Sequence, residues 1–266
     1  MGEVLIRAES LTKVFPDHGG GEVRAVDGVS FECRAGEIFG LLGPNGAGKT
    51  TTLRMLSTAL TPTSGTALVG ACDVRDDPVG VRRAIGFLSG TTGLYHRLTA
   101  REMVRFFGEF HGMTGRALEH RVDEVLAAFG ISDYAEKRCE KLSTGMSQKV
   151  NIARTVVHDP PVLVLDEPTG GLDVLAASTT LDFVQGLRDD GKCVLFSTHI
   201  MSEAEKLCDR IAILHEGRIR AEGTLEELRQ MSGERYLEDI FRRVVAEKDT
   251  VDAESPPRHP EEGRNP

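Results

Sequence analysis

One short run constrains this chain more than any other. Residues Gly43-Pro-Asn-Gly-Ala-Gly-Lys49-Thr50 fill every position of GxxxxGK[ST]. An apolar stretch, Ile38-Phe-Gly-Leu-Leu42, runs into it, and a helix-forming stretch, Thr51-Thr-Leu-Arg-Met-Leu-Ser57, leaves it. Strand, glycine-rich loop and helix are the context that a phosphate cradle requires. Glycines let the backbone curl until its N–H groups face an anion, and the positive end of the following helix adds to the attraction. Gly43, Pro44, Asn45, Gly46, Ala47, Gly48, Lys49, Thr50 and Thr51 therefore read as a nucleotide-phosphate site. Lys49 is placed to reach the β and γ phosphates of a nucleotide, and the Thr50 hydroxyl to reach Mg²⁺.

A second motif fits the first. Val162-Leu-Val-Leu-Asp166-Glu167 is an apolar strand that ends in two carboxylates. Asp166 at a strand end is suited to holding Mg²⁺, because open α/β sheets bind ligands at their carboxyl edge. Glu167, one residue on, is suited to polarising an attacking water.

The rest of the chain agrees with an α/β fold. Residues 1–90 read as short β segments broken by glycine around the phosphate loop. VLVLDEP and CVLFSTH are nearly continuous apolar runs, as expected of strands buried on both faces, and helical stretches separate them. Residues 91–160 differ. Thr99 and Glu102 form a capping box, ahead of Met103, Phe106, Phe107 and Phe110 at helical spacing. Leu118, Val122, Val125, Leu126 and Phe129 repeat that spacing until Gly130 stops it. These stripes read as core packing in an inserted helical block. Thr224 and Glu227 cap a further helix, residues 231–247 read as a helical extension, and 248–266 as a disordered tail rich in proline and charge.

Composition narrows the partners. With 32 Lys and Arg against 41 Asp and Glu, the net charge of −9 argues against a nucleic-acid binder. Five scattered cysteines show no CxxC spacing, so a reducing compartment is expected. No apolar run approaches the roughly 20 residues a spanning helix needs, and the N-terminus lacks a signal-peptide pattern. Action at a membrane therefore requires a partner.

Phosphate loops serve several enzyme classes, and Leu142-Ser-Thr-Gly-Met-Ser-Gln148 separates them. This segment, before the helix-like MSQKVNIARTVV, resembles the LSGGQ signature of ABC ATPases in an LSTGM form. The resemblance covers residues 4–230. It implies a P-loop NTPase core of the ABC ATPase type, with a β-rich N-terminal subdomain and an inserted α-helical subdomain. By the same resemblance Ser143, Thr144, Gly145 and Met146 close over a second subunit's ATP, in a dimer expected to pair identical chains. Asp173, in Gly171-Leu-Asp173, looks like the D-loop at the dimer seam. Phe15 matches the aromatic residue that stacks on adenine. His199 matches the switch histidine at the γ phosphate, which makes Glu167, His199 and Lys49 the expected catalytic set. One departure stands out: the family usually carries a Gln after the strand resembling Ile85–Leu88, and here Ser89 and Gly90 occupy that place.

GFLSGTTGLYHRLTARE and VLFSTHIMSEAEKLCDRIAILHEGRI resemble the ATPase subunits of sodium-efflux and drug-export systems. The implied role is to power export of an ion (Na⁺ among the candidates) or a drug-like molecule through a separate permease, from the cytoplasmic face of the membrane. Two rival readings are a soluble ABC ATPase of DNA repair or translation and a weakly catalytic regulatory module.

Overall fold

The computed structural model of the chain describes residues 2–17, 19–90 and 93–253. The path opens with a hairpin, β1 (Val4–Pro16) and β2 (Glu22–Arg34), then β3 (Glu37–Leu42), α1 (Lys49–Leu56), β4 (Ser64–Val69) and a brief β5 (Cys72–Asp73). Next come α2 (Pro78–Ala84) and β6 (Ile85–Leu88), followed by three helices: α3 (Ala100–Phe110), α4 (Gly115–Ala128) and α5 (Thr144–Val156). The chain then alternates through β7 (Val162–Asp166), α6 (Val174–Asp189), β8 (Cys193–Thr198), α7 (Met201–Leu207) and β9 (Arg210–His215). It closes with β10 (Arg218–Gly223), α8 (Leu225–Ser232) and α9 (Leu237–Ala253).

Two sheets result. The first is antiparallel, in the order β2-β1-β4-β5; the second has the order β10-β9-β3-β8-β7-β6 and is parallel except for the β9–β10 pair. Composition suggested short strands before residue 90, yet β1 and β2 run 13 residues each. Bulges explain the difference. The β1–β2 register slips between Ala8 and Leu11, where Ser10 takes a φ of 50°, so the hairpin bends around the core without ending.

The apolar runs of the central strands follow from burial on both faces. Val162 and Val164 of β7, with Leu195 of β8 and Phe39 and Leu41 of β3, pack toward the antiparallel sheet, against Ile6, Leu11 and Phe31. Their neighbours Leu163, Leu165, Val194 and Phe196 point the other way, into a core shared with the helical block. Alternate side chains enter different cores, so the middle of each strand is apolar and polar residues such as Glu37, Asp166, Ser197 and Thr198 sit at the strand ends.

In the helical block, Thr99 accepts from the Glu102 N–H while Glu102 accepts from the Thr99 N–H, the full capping box, worth about 1 kcal/mol. Met103, Leu118, Val122, Val125 and Leu126 are buried as expected. Phe106 and Phe110 are not: they are 41% and 76% exposed. Their spacing is helical, but the packed stripe of α3 runs through Ala100, Met103, Val104 and Gly108. The bare Cα of Gly108 admits α4, since a Cβ there would lie 2.4 Å from Leu118 Cδ1.

His111, capping α3, stacks flat on His158 beyond α5, with ring centroids 3.5 Å apart. Burial, and then the neighbouring His111, pull the His158 pKa down to about 4; burial lowers that of His111 as well. The unfolded chain protonates these rings near pH 6.5 while the folded chain resists. Stability is therefore present above about pH 6.5 and is lost as pH falls toward 4. The expected cost at pH 5 from His158 is about 2 kcal/mol. Thermal melts at pH 7.5 and 5.0 test this, and His158→Phe, which cannot titrate, is expected to flatten the difference.

Helices α7, α8 and α9 close the far side through Ala204, Leu228, Leu237, Ile240 and Val244. Helical backbone runs on to Ala253, past the boundary at 247 that composition suggests; the rest of that segment, 254–266, lies outside the described residues. Among the described residues no helix is long and apolar enough to cross a membrane.

Candidate functional site

Strand order assembles the site. β3, β8 and β7 are neighbours, with Leu42 opposite Thr198 and Ser197 opposite Asp166. Three sequence-distant loops, starting at Gly43, His199 and Glu167, therefore leave the same sheet edge side by side. Backbone bonds hold them there: Gly43 N–H donates to Thr198 O at 3.3 Å, and Glu167 N–H to Ser197 O at 3.2 Å.

The phosphate loop wraps the N-terminus of α1. Gly48 must be glycine on two counts: its φ is +104°, and a Cβ there would lie 2.5 Å from the Ala25 carbonyl. The loop is braced from outside, because Gly217 N–H donates to Ala47 O at 2.9 Å and Asp27 N–H to Gly217 O at 2.8 Å. The motif gives no hint of that brace. The loop opens on a cavity of about 280 Å³, lined by Ala25, Pro44, Gly46, Lys49, Thr50 and Glu167 among others.

Charges converge on this cavity. Lys49 is only 4% exposed; its ammonium donates to the carbonyls of Gly43 at 2.7 Å and Pro44 at 3.1 Å and lies 3.2 Å from Glu167 Oε1. The same Oε1 is 3.2 Å from His199 Nδ1. Burial pushes the Glu167 carboxyl up, but His199 and Lys49 together outweigh it and hold the pKa below the usual value. Glu167 also sits at a φ of 48°, a left-handed conformation costly for a side chain of its size and characteristic of functional turns. The three residues expected to be catalytic are thus brought into one network.

Thr50 Oγ1 donates to Asp166 Oδ1 at 3.2 Å, and the wholly buried Ser197 Oγ donates to the same oxygen at 2.7 Å. Hard oxygen donors side by side suit Mg²⁺. Among the described residues no cluster of three or more His, Cys, Asp or Glu could hold a metal alone. Mg²⁺ takes one or two protein ligands and completes its shell from phosphate and water, and Thr50 with Asp166 offer such a pair. The residues fit the ion.

Two members of the site escaped the sequence reading. Ser197 was legible in principle, as a polar residue at the end of a buried apolar strand. Glu203 was not: it accepts from Thr198 Oγ1 at 2.8 Å, while Ile200 N–H donates to that hydroxyl at 3.0 Å, which shapes the turn bearing His199.

Other expected residues lie around this centre. Phe15, 36% exposed, pairs across the hairpin with Val23, two residues before the cavity-lining Ala25, and carries the Lys13 ammonium 5.3 Å from its ring centroid. Ser143 caps α5, accepting from Met146 N–H, and Asp173 caps α6, accepting from Ala176 N–H. None of Ser143, Thr144, Gly145, Met146 or Asp173 lines the phosphate cavity of its own chain. Ser89 and Gly90 follow β6 at the same sheet edge; a Cβ on Gly90 would meet the Asp166 carbonyl at an ordinary 3.6 Å. The place where a Gln was expected therefore adjoins Asp166 and admits a Cβ at ordinary contact distance.

A family model described as ABC transporter matches residues 26–170. The ABC transporter ATP-binding protein NatA of Bacillus subtilis is 41% identical over 220 residues, 82% of this chain and 89% of its own length. The daunorubicin/doxorubicin resistance ATP-binding protein DrrA of Streptomyces peucetius is 39% identical over 247 residues, covering 91% of this chain and 73% of its own. A solved dimeric ATP-binding cassette in a post-hydrolysis state, bound to ADP and Pi, matches with a TM-score of 0.75 at 28% identity, over 82% of this chain and 98% of that one.

Proposed function

The chain belongs to the ABC transporter ATP-binding family, and from that premise we propose that it works as a dimer with composite sites, driving export through a separate membrane permease. As an ATP-binding and hydrolysing subunit it needs both a cradle for the nucleotide and a device for attack by water. The observation that carries the composite-site reading is a separation. Lys49, Glu167 and His199 converge at one cavity, while Ser143 and Asp173 stand away from it at two other helix N-termini. A helix N-terminus suits an anion, so a second copy's γ phosphate is the natural occupant of the α5 end.

The geometry supports the following roles. Backbone N–H groups of residues 46–51 and the Lys49 ammonium hold the phosphates. A bound Mg²⁺ would be held by Thr50 and Asp166 and would supply neutralisation of phosphate charge. Glu167 orients a water and takes its proton, and His199 and Lys49 stabilise the charge that develops at the γ phosphate. Phe15 offers a ring face for the adenine. Residues 4–230 form the ATPase domain in this reading, and the helical block transmits closure to the permease. A relative named for daunorubicin/doxorubicin resistance supports export of a drug-like molecule, and the sequence resemblance to sodium-efflux ATPases makes an ion the alternative cargo.

Mixing two impaired variants tests the composite site. Lys49→Ala and Ser143→Arg are each expected to lose most of their turnover alone, keeping only a small residual rate. Combined, they should recover part of the parental activity, because each mixed dimer rebuilds one intact site. No recovery at any concentration would point to a site complete within one chain.

A further inference from the structure

The structure assigns a positioning role to Gln148: its side-chain N–H, donated to the Pro168 carbonyl, sets the backbone that aims Glu167. This rests on the reading of Glu167 as the group that orients water. Gln148 lies on α5, one turn beyond the Ser143 cap, and its Nε2 is 2.5 Å from Pro168 O. Pro168 is buried and directly follows Glu167.

The segment from Glu167 to the start of α6 is a succession of tight turns. Gly170 N–H returns to Glu167 O at 3.0 Å and Leu172 N–H to Thr169 O at 3.1 Å. Turns of this kind fix local shape, but they do not fix where the segment sits relative to the phosphate loop. Two anchors do. On the strand side, Glu167 N–H donates to Ser197 Oγ at 3.1 Å. On the helix side, α5 touches the segment near both ends: Gln148 at Pro168, and Gly145 at α6, where a Cβ would lie 3.3 Å from Ala176 Cβ. Glu167 holds a left-handed φ of 48°, and such a conformation persists only where its surroundings over-determine it. A carbonyl clamp on the very next residue supplies that constraint.

The helix whose first turn carries the signature therefore also holds the catalytic loop of its own chain. A displacement of α5, when a second copy's phosphate engages Ser143, reaches Glu167 through one hydrogen bond. Proline cannot answer with an N–H of its own, so the carbonyl is the handle that this residue presents.

The test uses the full-length chain with Gln148→Met, which keeps the volume but has no donor, and Gln148→Glu, which keeps the shape and turns an acceptor toward the carbonyl. Turnover of MgATP gives kcat and KM, calorimetric titration with ADP reads the phosphate cradle alone, and Glu167→Gln serves as the control. Misaiming a reacting group by a fraction of an ångström costs on the order of tenfold or more, so kcat is expected to fall at least about tenfold in both variants, with KM and ADP affinity within about twofold of parent. A kcat within twofold of parent, while Glu167→Gln is inactive, overturns the role of Gln148. Loss of ADP affinity in step with kcat overturns it as well, since that marks general damage to the fold. If Glu167→Gln itself turns over at the parental rate, the underlying reading of Glu167 is what fails.

Discussion

Glu167→Gln is expected to cut ATP turnover by a factor on the order of a hundred to ten thousand while leaving ATP binding intact or tighter. The direction of the binding change comes from the structure. Glu167 Oε1 lies 3.2 Å from both the Lys49 ammonium and the His199 ring, the two groups assigned to the γ phosphate. An arriving phosphate must compete with that carboxylate for the same cation. Glutamine keeps the shape and withdraws the charge, so the competition weakens while the proton acceptor disappears. The variant should therefore accumulate as an ATP-bound dimer. Sizing with and without ATP, alongside phosphate release, checks both halves of the expectation. Rapid turnover would remove Glu167 from its role. Weakened binding would show that its carboxylate supports the cradle instead of competing with the nucleotide.

Lys49→Ala should act in the opposite sense, lowering ATP affinity roughly 10- to 150-fold, the weight of a charge-assisted hydrogen bond at about 1.5–3 kcal/mol. The ammonium is nearly wholly buried and bonds to the Gly43 and Pro44 carbonyls, so its removal also leaves the buried Gly43 carbonyl without this donor, while Pro44 O keeps the Ala47 N–H. A second effect follows at Glu167. Burial already pushes that carboxyl upward, and Lys49 is one of the two groups that bring it back down; without the lysine its pKa should rise. Residual turnover is then expected to lose its acid side, falling off at a higher pH than in the parent chain. Equilibrium titration with ATP measures the first effect, and a pH profile of the residual rate measures the second. Unchanged affinity would contradict the placement of Lys49 at the phosphates.

Much of this site was legible before any coordinates. Gly43–Thr50, Asp166 and Glu167 announce themselves because each lies next to an apolar strand, and a strand followed by a polar turn marks the carboxyl edge of a sheet; the family resemblance singles out His199 after such a strand. Capping boxes at Thr99 and Thr224 were equally plain, since they depend only on residues three apart. The aromatic stripe of α3 was misleading. Helical spacing says which residues share a face, but whether that face meets a neighbour depends on how α4 approaches, and Gly108 brings it in beside Phe106 and Phe110, not over them.

Local chemistry alone, then, determined that this chain would build a phosphate cradle, a carboxylate pair and buried parallel strands, because those properties reside in short runs whose backbone and side chains interact with near neighbours. Only the tertiary structure decided that β8 lies between β3 and β7, and so that Lys49, Glu167 and His199 share one oxygen's reach. The same holds for Ser197 beneath Asp166, Glu203 behind His199, Gly217 against Ala47 and Gln148 on Pro168. Each of these contacts joins residues from 5 to 170 positions apart. Their hydrogen bonds are set by strand order and helix packing, and no short window of sequence contains both partners together with the fold that brings them into contact.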